Sequence, residues 1–159
     1  MSYTNADGLY VLTNGGQGDV QDRGVTTDGC LVLDIPDFTA IGSTFGASDI
    51  DVMDAVIPAG SVITGATLVM TTAATSGDAA TLTIGTYNAA GTAIDADGID
   101  AAVALTAIDA DGDVVRCDGA QASGVLGYLT ADAHIGMIYG AAAYTAGAGK
   151  LIVEYTKLT

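Results

Sequence analysis

Apolar positions in this chain come in short runs, with turn residues between them at short intervals. Asp7-Gly8, Asn14-Gly15-Gly16, Asp28-Gly29, Pro58-Ala59-Gly60, Ser76-Gly77-Asp78, Ala90-Gly91, Asp97-Gly98, Asp111-Gly112, Asp118-Gly119 and Gly147-Ala148-Gly149 supply the positive φ and side-chain caps that tight turns use. The runs between them read as strands: 9–12, 30–33, a longer one over 61–72, then 80–87, 114–117, 134–139 and 150–156. The 80–87 run alternates most cleanly, with Leu82 and Ile84 on one face and Thr81, Thr83 and Thr86 mostly on the other. A period of two with Thr on the wet face is the mark of a half-buried antiparallel strand. Many short strands at this spacing predict an all-β sandwich or barrel. Only 96–108 has the Ala content for a helix, and Asp97-Gly98 interrupts it, leaving room for one or two turns. A short echo, Ala93 to Gly98 repeated as Ala107 to Gly112, reads as two similar turns and is too brief for a repeat architecture.

Composition sharpens this picture. Ala, Gly and Thr dominate, Trp is absent, and Phe38 and Phe45 are the two Phe. The core is therefore expected to be built of Ala, Val, Ile, Leu and Met with close backbone approach. The first fifty residues are rich in Gly and poor in long apolar runs. They are expected to form an extended N-terminal arm, 1–50, carrying short strands. The sandwich domain is expected over 51–159. Both Phe and Tyr10 fall in the arm, which makes Tyr10, Phe38 and Phe45 the candidate partner contacts.

Charge excludes several functions. Four basic residues stand against nineteen acidic ones, a net charge of −15. Non-specific nucleic-acid binding and attachment to an anionic membrane both need Lys and Arg, so neither partner is expected. No apolar run is long enough for a transmembrane helix, and the first residues lack the basic and apolar regions of a secretory signal. Cys30 and Cys117, 87 positions apart in ordinary strand contexts, are expected to be free thiols of a protein made in a reducing compartment.

Candidate chemistry is thin. The stretch 95–113 holds Asp95, Asp97, Asp100, Asp109, Asp111 and Asp113 and no basic residue. Asp109, Asp111 and Asp113 at alternate positions would suit a hard cation such as Ca²⁺. The EF-hand pattern fails, because Val114 and Ala120 stand where its Gly and Glu are needed. The plainer reading is a pair of Asp-Gly turns whose carboxylates cap backbone N–H groups. His134 is the sole His and lies in an apolar strand, a poor base for a nucleophile. Asn14-Gly15-Gly16-Gln17-Gly18 lacks the Lys-Ser/Thr of a phosphate loop. No catalytic residue and no cofactor are expected.

Four stretches, taken in order, carry a resemblance. They are Ala6-Asp7-Gly8-Leu9-Tyr10-Val11; Ala55-Val56-Ile57-Pro58-Ala59-Gly60-Ser61-Val62-Ile63 running into Ala66-Thr67-Leu68-Val69-Met70; Ala80-Thr81-Leu82-Thr83-Ile84-Gly85-Thr86; and Thr145-Ala146-Gly147-Ala148-Gly149-Lys150-Leu151-Ile152-Val153-Glu154-Tyr155. The chain resembles the head decoration, or cement, proteins of tailed bacteriophages over most of 55–155. In such sequences an Ile-Pro-Ala-Gly turn leads into the first long strand and an Ala-Gly-Ala-Gly turn into the last. The resemblance implies a jelly-roll-like antiparallel β-sandwich on the outer capsid surface. It implies a homotrimer that bridges subunits of the major capsid protein and is synthesised in the host bacterial cytoplasm. It carries over no catalytic residues. A phage neck or tail-associated sandwich, or a calcium-dependent adhesion or carbohydrate-binding module, is the alternative.

Overall fold

The computed structural model describes residues 27–46, 55–125 and 127–158. Eight strands account for most of them: β1 (Thr27–Ile35), β2 (Val56–Ile57), β3 (Ser61–Ser76), β4 (Thr81–Tyr87), β5 (Ala93–Ala104), β6 (Val114–Arg116), β7 (Ala133–Gly140) and β8 (Tyr144–Lys157). They pair antiparallel in two four-stranded sheets, ordered β1-β8-β3-β6 and β2-β7-β4-β5. Except at the β4–β5 hairpin, each strand is followed by one in the opposite sheet. That connectivity is a jelly roll, the sandwich the alternating pattern predicts.

The core follows from the period of two. Leu68 and Met70 on β3, Leu82 and Ile84 on β4, Ile135 and Met137 on β7, and Leu151 and Val153 on β8 all point inward and are buried. Their neighbours Thr67, Thr83 and Lys150 point out. β3 and β8 form the spine of one sheet, in register from Ser61↔Lys157 to Ser76↔Tyr144 with several bulges.

Three expectations change in the folded chain. Residues 27–46 belong to the sandwich and are not an arm beside it. β1 pairs β8 over nine positions, from Thr27↔Lys157 to Ile35↔Gly149. Leu33, Ile35, Phe38 and Ile41 are buried in the shared core. Three inward aliphatics and one ring hold this segment, whatever its glycine content. Residues 1–26, with the expected 9–12 strand, lie outside the described residues.

Second, 96–108 is mostly strand. β5 runs to Ala104, and a single 3₁₀ turn follows at Leu105–Ala107. Helix propensity of Ala is a weak prior, and here Ile99 and Val103 enter the core while β5 pairs β4. Third, Thr145 to Gly149 is part of β8 and not a turn ahead of it. Gly147 has φ +137, and a Cβ there would lie 3.0 Å from Ala74 Cα and 3.2 Å from Phe38 Cγ. The glycines let a strand pass close to its neighbours instead of reversing it.

Candidate functional site

The acidic stretch is divided by the fold. Asp95, Asp97 and Asp100 lie on β5, while Asp109, Asp111 and Asp113 lie in the loop between the 3₁₀ turn and β6. That loop is fastened to β3. Ala73 N–H donates to Asp111 Oδ1 at 2.6 Å, and Ala110 N–H donates to Asp113 Oδ2 at 2.8 Å. Met70 N–H donates to the Asp113 carbonyl and Gly112 N–H to the Met70 carbonyl. Gly112 takes φ +86 to make the turn. The carboxylates cap backbone amides, which is the plainer of the two sequence readings. Among the described residues no group of three or more His, Cys, Asp or Glu is assembled where it could hold a metal ion.

On β5 the carboxylates are perturbed by their surroundings. Burial raises the pKa of Asp100, and the charge of Asp118 adds to it, while the Ala102 N–H at 3.0 Å pulls the other way. Burial also raises Asp95, helped by the neighbouring carboxyl of Asp97. His134 sits on β7 opposite Val56 and Tyr87, and its buried Nδ1 has no hydrogen-bond partner among the described residues. Cys117 is buried and its thiol is pushed up to about 12, chiefly by burial and then by the charge of Asp100; a thiol there is inert. Cys30 is exposed, and both cysteines are free.

The expected partner contacts have different fates. Tyr10 lies outside the described residues. Phe38 is fully buried and meets Tyr144 edge-to-face, centroids 5.4 Å apart at 77°. It faces the chain's own core, so it offers no surface to a partner in this fold. Phe45 is half-buried and lies against Tyr87, centroids 4.3 Å apart. Both rings lean over the Gly136 backbone, closing the outer side of the second sheet. Beside Phe45 a cavity of about 180 Å³ is lined by Ile35, Pro36, Ala40, Ile41 and Met137 among others.

What remains exposed and organised is the outer face of β1-β8-β3-β6. Register places Val32, Ile152, Thr67 and Arg116 in one row across all four strands. The next row is Asp34, Lys150, Val69 and Val114. Val32 is 55% exposed and Val114 64%. Sandwich outer faces are ordinarily polar, and contiguous apolar positions there mark contact surfaces. Each of these residues sits one position from a core residue, so its outward direction was readable from alternation. That they form a single patch depends on strand order.

The whole architecture can be set beside solved structures. It resembles chains of two phage capsids. A chain in the capsid of Ralstonia phage GP4 matches with TM-score 0.54 at 18% identity, over 85% of this chain and 86% of that one. A chain in the cyanophage Pam1 capsid asymmetric unit matches with TM-score 0.53 at 15% identity, over 99% of both. At such identities the likeness is one of fold. No protein-family model matches the chain, and no curated protein matches it.

Proposed function

We propose that this chain is a structural protein of a tailed-phage head. In this reading it is a decoration or cement protein that sits on the outer capsid surface as a homotrimer and stabilises the head by bridging subunits of the major capsid protein. One observation carries the reading: the jelly roll matches chains of two phage capsid structures, one of them over 99% of both lengths. The ordered motifs between 55 and 155 point the same way. The charge of −15 would keep a protein with an aliphatic outer face soluble before assembly. The calcium-dependent module is not favoured, because Asp111 and Asp113 already cap amides.

The test is a mass-spectrometric inventory of purified virions with copy number, followed by cryo-EM of the particle. Stoichiometric presence with density outside the coat shell is the expected result. Absence from the particles, or density confined to neck or tail, would overturn the assignment.

A further inference from the structure

The two sheets end in four edge strands, and three of them are guarded. β2 has two residues and β6 three, too short to template another strand. β5 is long, but its pairing with β4 shifts register three times, and bulges spoil an edge for regular pairing. β1 is the exception. It pairs β8 over nine positions without a register shift and carries no Lys and no Pro. Among the described residues no strand lies on its other side. Every second residue of an antiparallel edge strand directs its N–H and C=O outward, so β1 presents a regular ladder of backbone donors and acceptors.

The middle of that edge is apolar on both faces. Alternation puts Leu31 and Leu33 on the core side and Cys30 and Val32 on the outer side. Leu33 is buried and Leu31 half-buried, while Cys30 is exposed and Val32 is 55% exposed. A strand that suits this edge is uncharged and apolar on both faces as well. The residues ahead of β1 hold such a run, Leu9-Tyr10-Val11-Leu12, whereas the stretch 47–54 carries Asp49, Asp51 and Asp54. Residues 13–26 join the run to Thr27. Those residues span up to about 50 Å when extended, more than the roughly 30 Å length of a nine-residue strand. They include Asn14-Gly15-Gly16, a turn signal. A strand joined to its neighbour by such a loop pairs antiparallel, because a parallel pair needs a crossover.

We propose that residues 9–12 of the same chain add antiparallel to the open edge of β1, as a fifth strand of the β1-β8-β3-β6 sheet. The two apolar runs lie four on four. Leu12 stands opposite Cys30 and Tyr10 opposite Val32 on the outer side, and Val11 and Leu9 stand opposite Leu31 and Leu33 on the core side. The added strand satisfies the outward N–H and C=O groups of β1 and places the Tyr10 ring beside Val32. It also closes the one long, regular edge among the described strands, at which another chain could otherwise pair. The inference rests on the isolated chain and does not require the virion.

Cys30 makes the test direct, because it is exposed while the other thiol, Cys117, is buried. In the full chain under oxidised glutathione, Leu12→Cys is expected to form an intrachain disulfide with Cys30, since directly opposed residues have Cβ atoms about 4.5–5.5 Å apart. Val11→Cys faces the other side of the sheet and should cross-link about tenfold more slowly or less. Adding Cys30→Ala should abolish the bond in either variant. Non-reducing electrophoresis and peptide mass mapping read the products. Hydrogen exchange gives a second reading without new thiols. Tyr10→Pro with Val11→Pro strips donors from the added strand, and the amides of 27–35 should then exchange about tenfold faster or more. Equal cross-linking of Leu12→Cys and Val11→Cys, bonds between chains only, no bond at either position, or exchange over 27–35 that ignores the prolines would each overturn the inference. The virion inventory fails or succeeds separately, since it reads presence on particles and not strand pairing within the chain.

Discussion

Replacing Phe38 with Ala tests whether the segment after β1 is part of the sandwich core. The ring is fully buried, meets Tyr144 edge-to-face at 5.4 Å, and lies against Gly147. A buried aromatic removes about 150–250 Å² from water, which at about 25 cal/mol per Å² is about 4–6 kcal/mol. Alanine keeps the Cβ share of that area, and the site relaxes only partly, so the expected loss is about 3–5 kcal/mol. Domains of this size are stable by about 5–15 kcal/mol, so the variant should fold but unfold at much lower denaturant. Phe38→Leu keeps most of the apolar area and loses the ring pair, at a cost of about 1–1.5 kcal/mol. Equilibrium guanidinium unfolding, with the slope held constant between variants, reads both numbers. A Phe38→Ala chain within about 1 kcal/mol of the parent would refute the reasoning: the ring would then belong to a peripheral arm free to move off the sandwich.

Tyr144→Phe should stabilise the chain by about 1 kcal/mol in the same assay, because the buried hydroxyl has no hydrogen-bond partner among the described residues and its pKa is pushed up to about 12 by burial. Asp95 and Asp100 have carboxyl pKa values raised by burial; a raised group contributes stability that is fully present below the unfolded pKa and is lost as pH rises through the folded one. Tm should therefore climb as pH falls from 7 toward about 4, and Asp100→Asn should raise Tm at pH 7 and flatten the climb; an unchanged slope would remove Asp100 from the account. Chelator and added Ca²⁺ should each leave Tm within about 1 °C, since Asp111 and Asp113 are committed to backbone amides; a rise with calcium that follows mass action would restore the cation reading.

Alternation alone determined a large part of this protein. Leu82, Ile84 and their Thr neighbours fixed the faces of β4, and the run from Ser61 fixed β3, because a half-buried strand has to place every second side chain in the core. Asp-Gly and Ala-Gly pairs marked reversals at Gly60, Gly91 and Gly112, all of which take positive φ. The net charge of −15 spoke against partners that need basic surfaces, a matter of composition and not of fold.

Tertiary structure decided what depends on neighbours. Phe38 looked like an anchor of a pliable arm until β8 supplied nine pairing positions for β1 and the Gly147 gap supplied room for the ring. Ala-rich β5 became a strand because β4 and the core claimed Ile99 and Val103. Asp109, Asp111 and Asp113 looked alike in sequence, but only a folded β3 could present Ala73 N–H to Asp111, 38 positions away. The outer-face rows are the plainest case. Val32, Val114, Ile152 and Val69 come from four strands spread over the chain, and only strand order brings them side by side. Local periodicity tells which way a side chain points; which other side chains stand beside it is settled by long-range pairing.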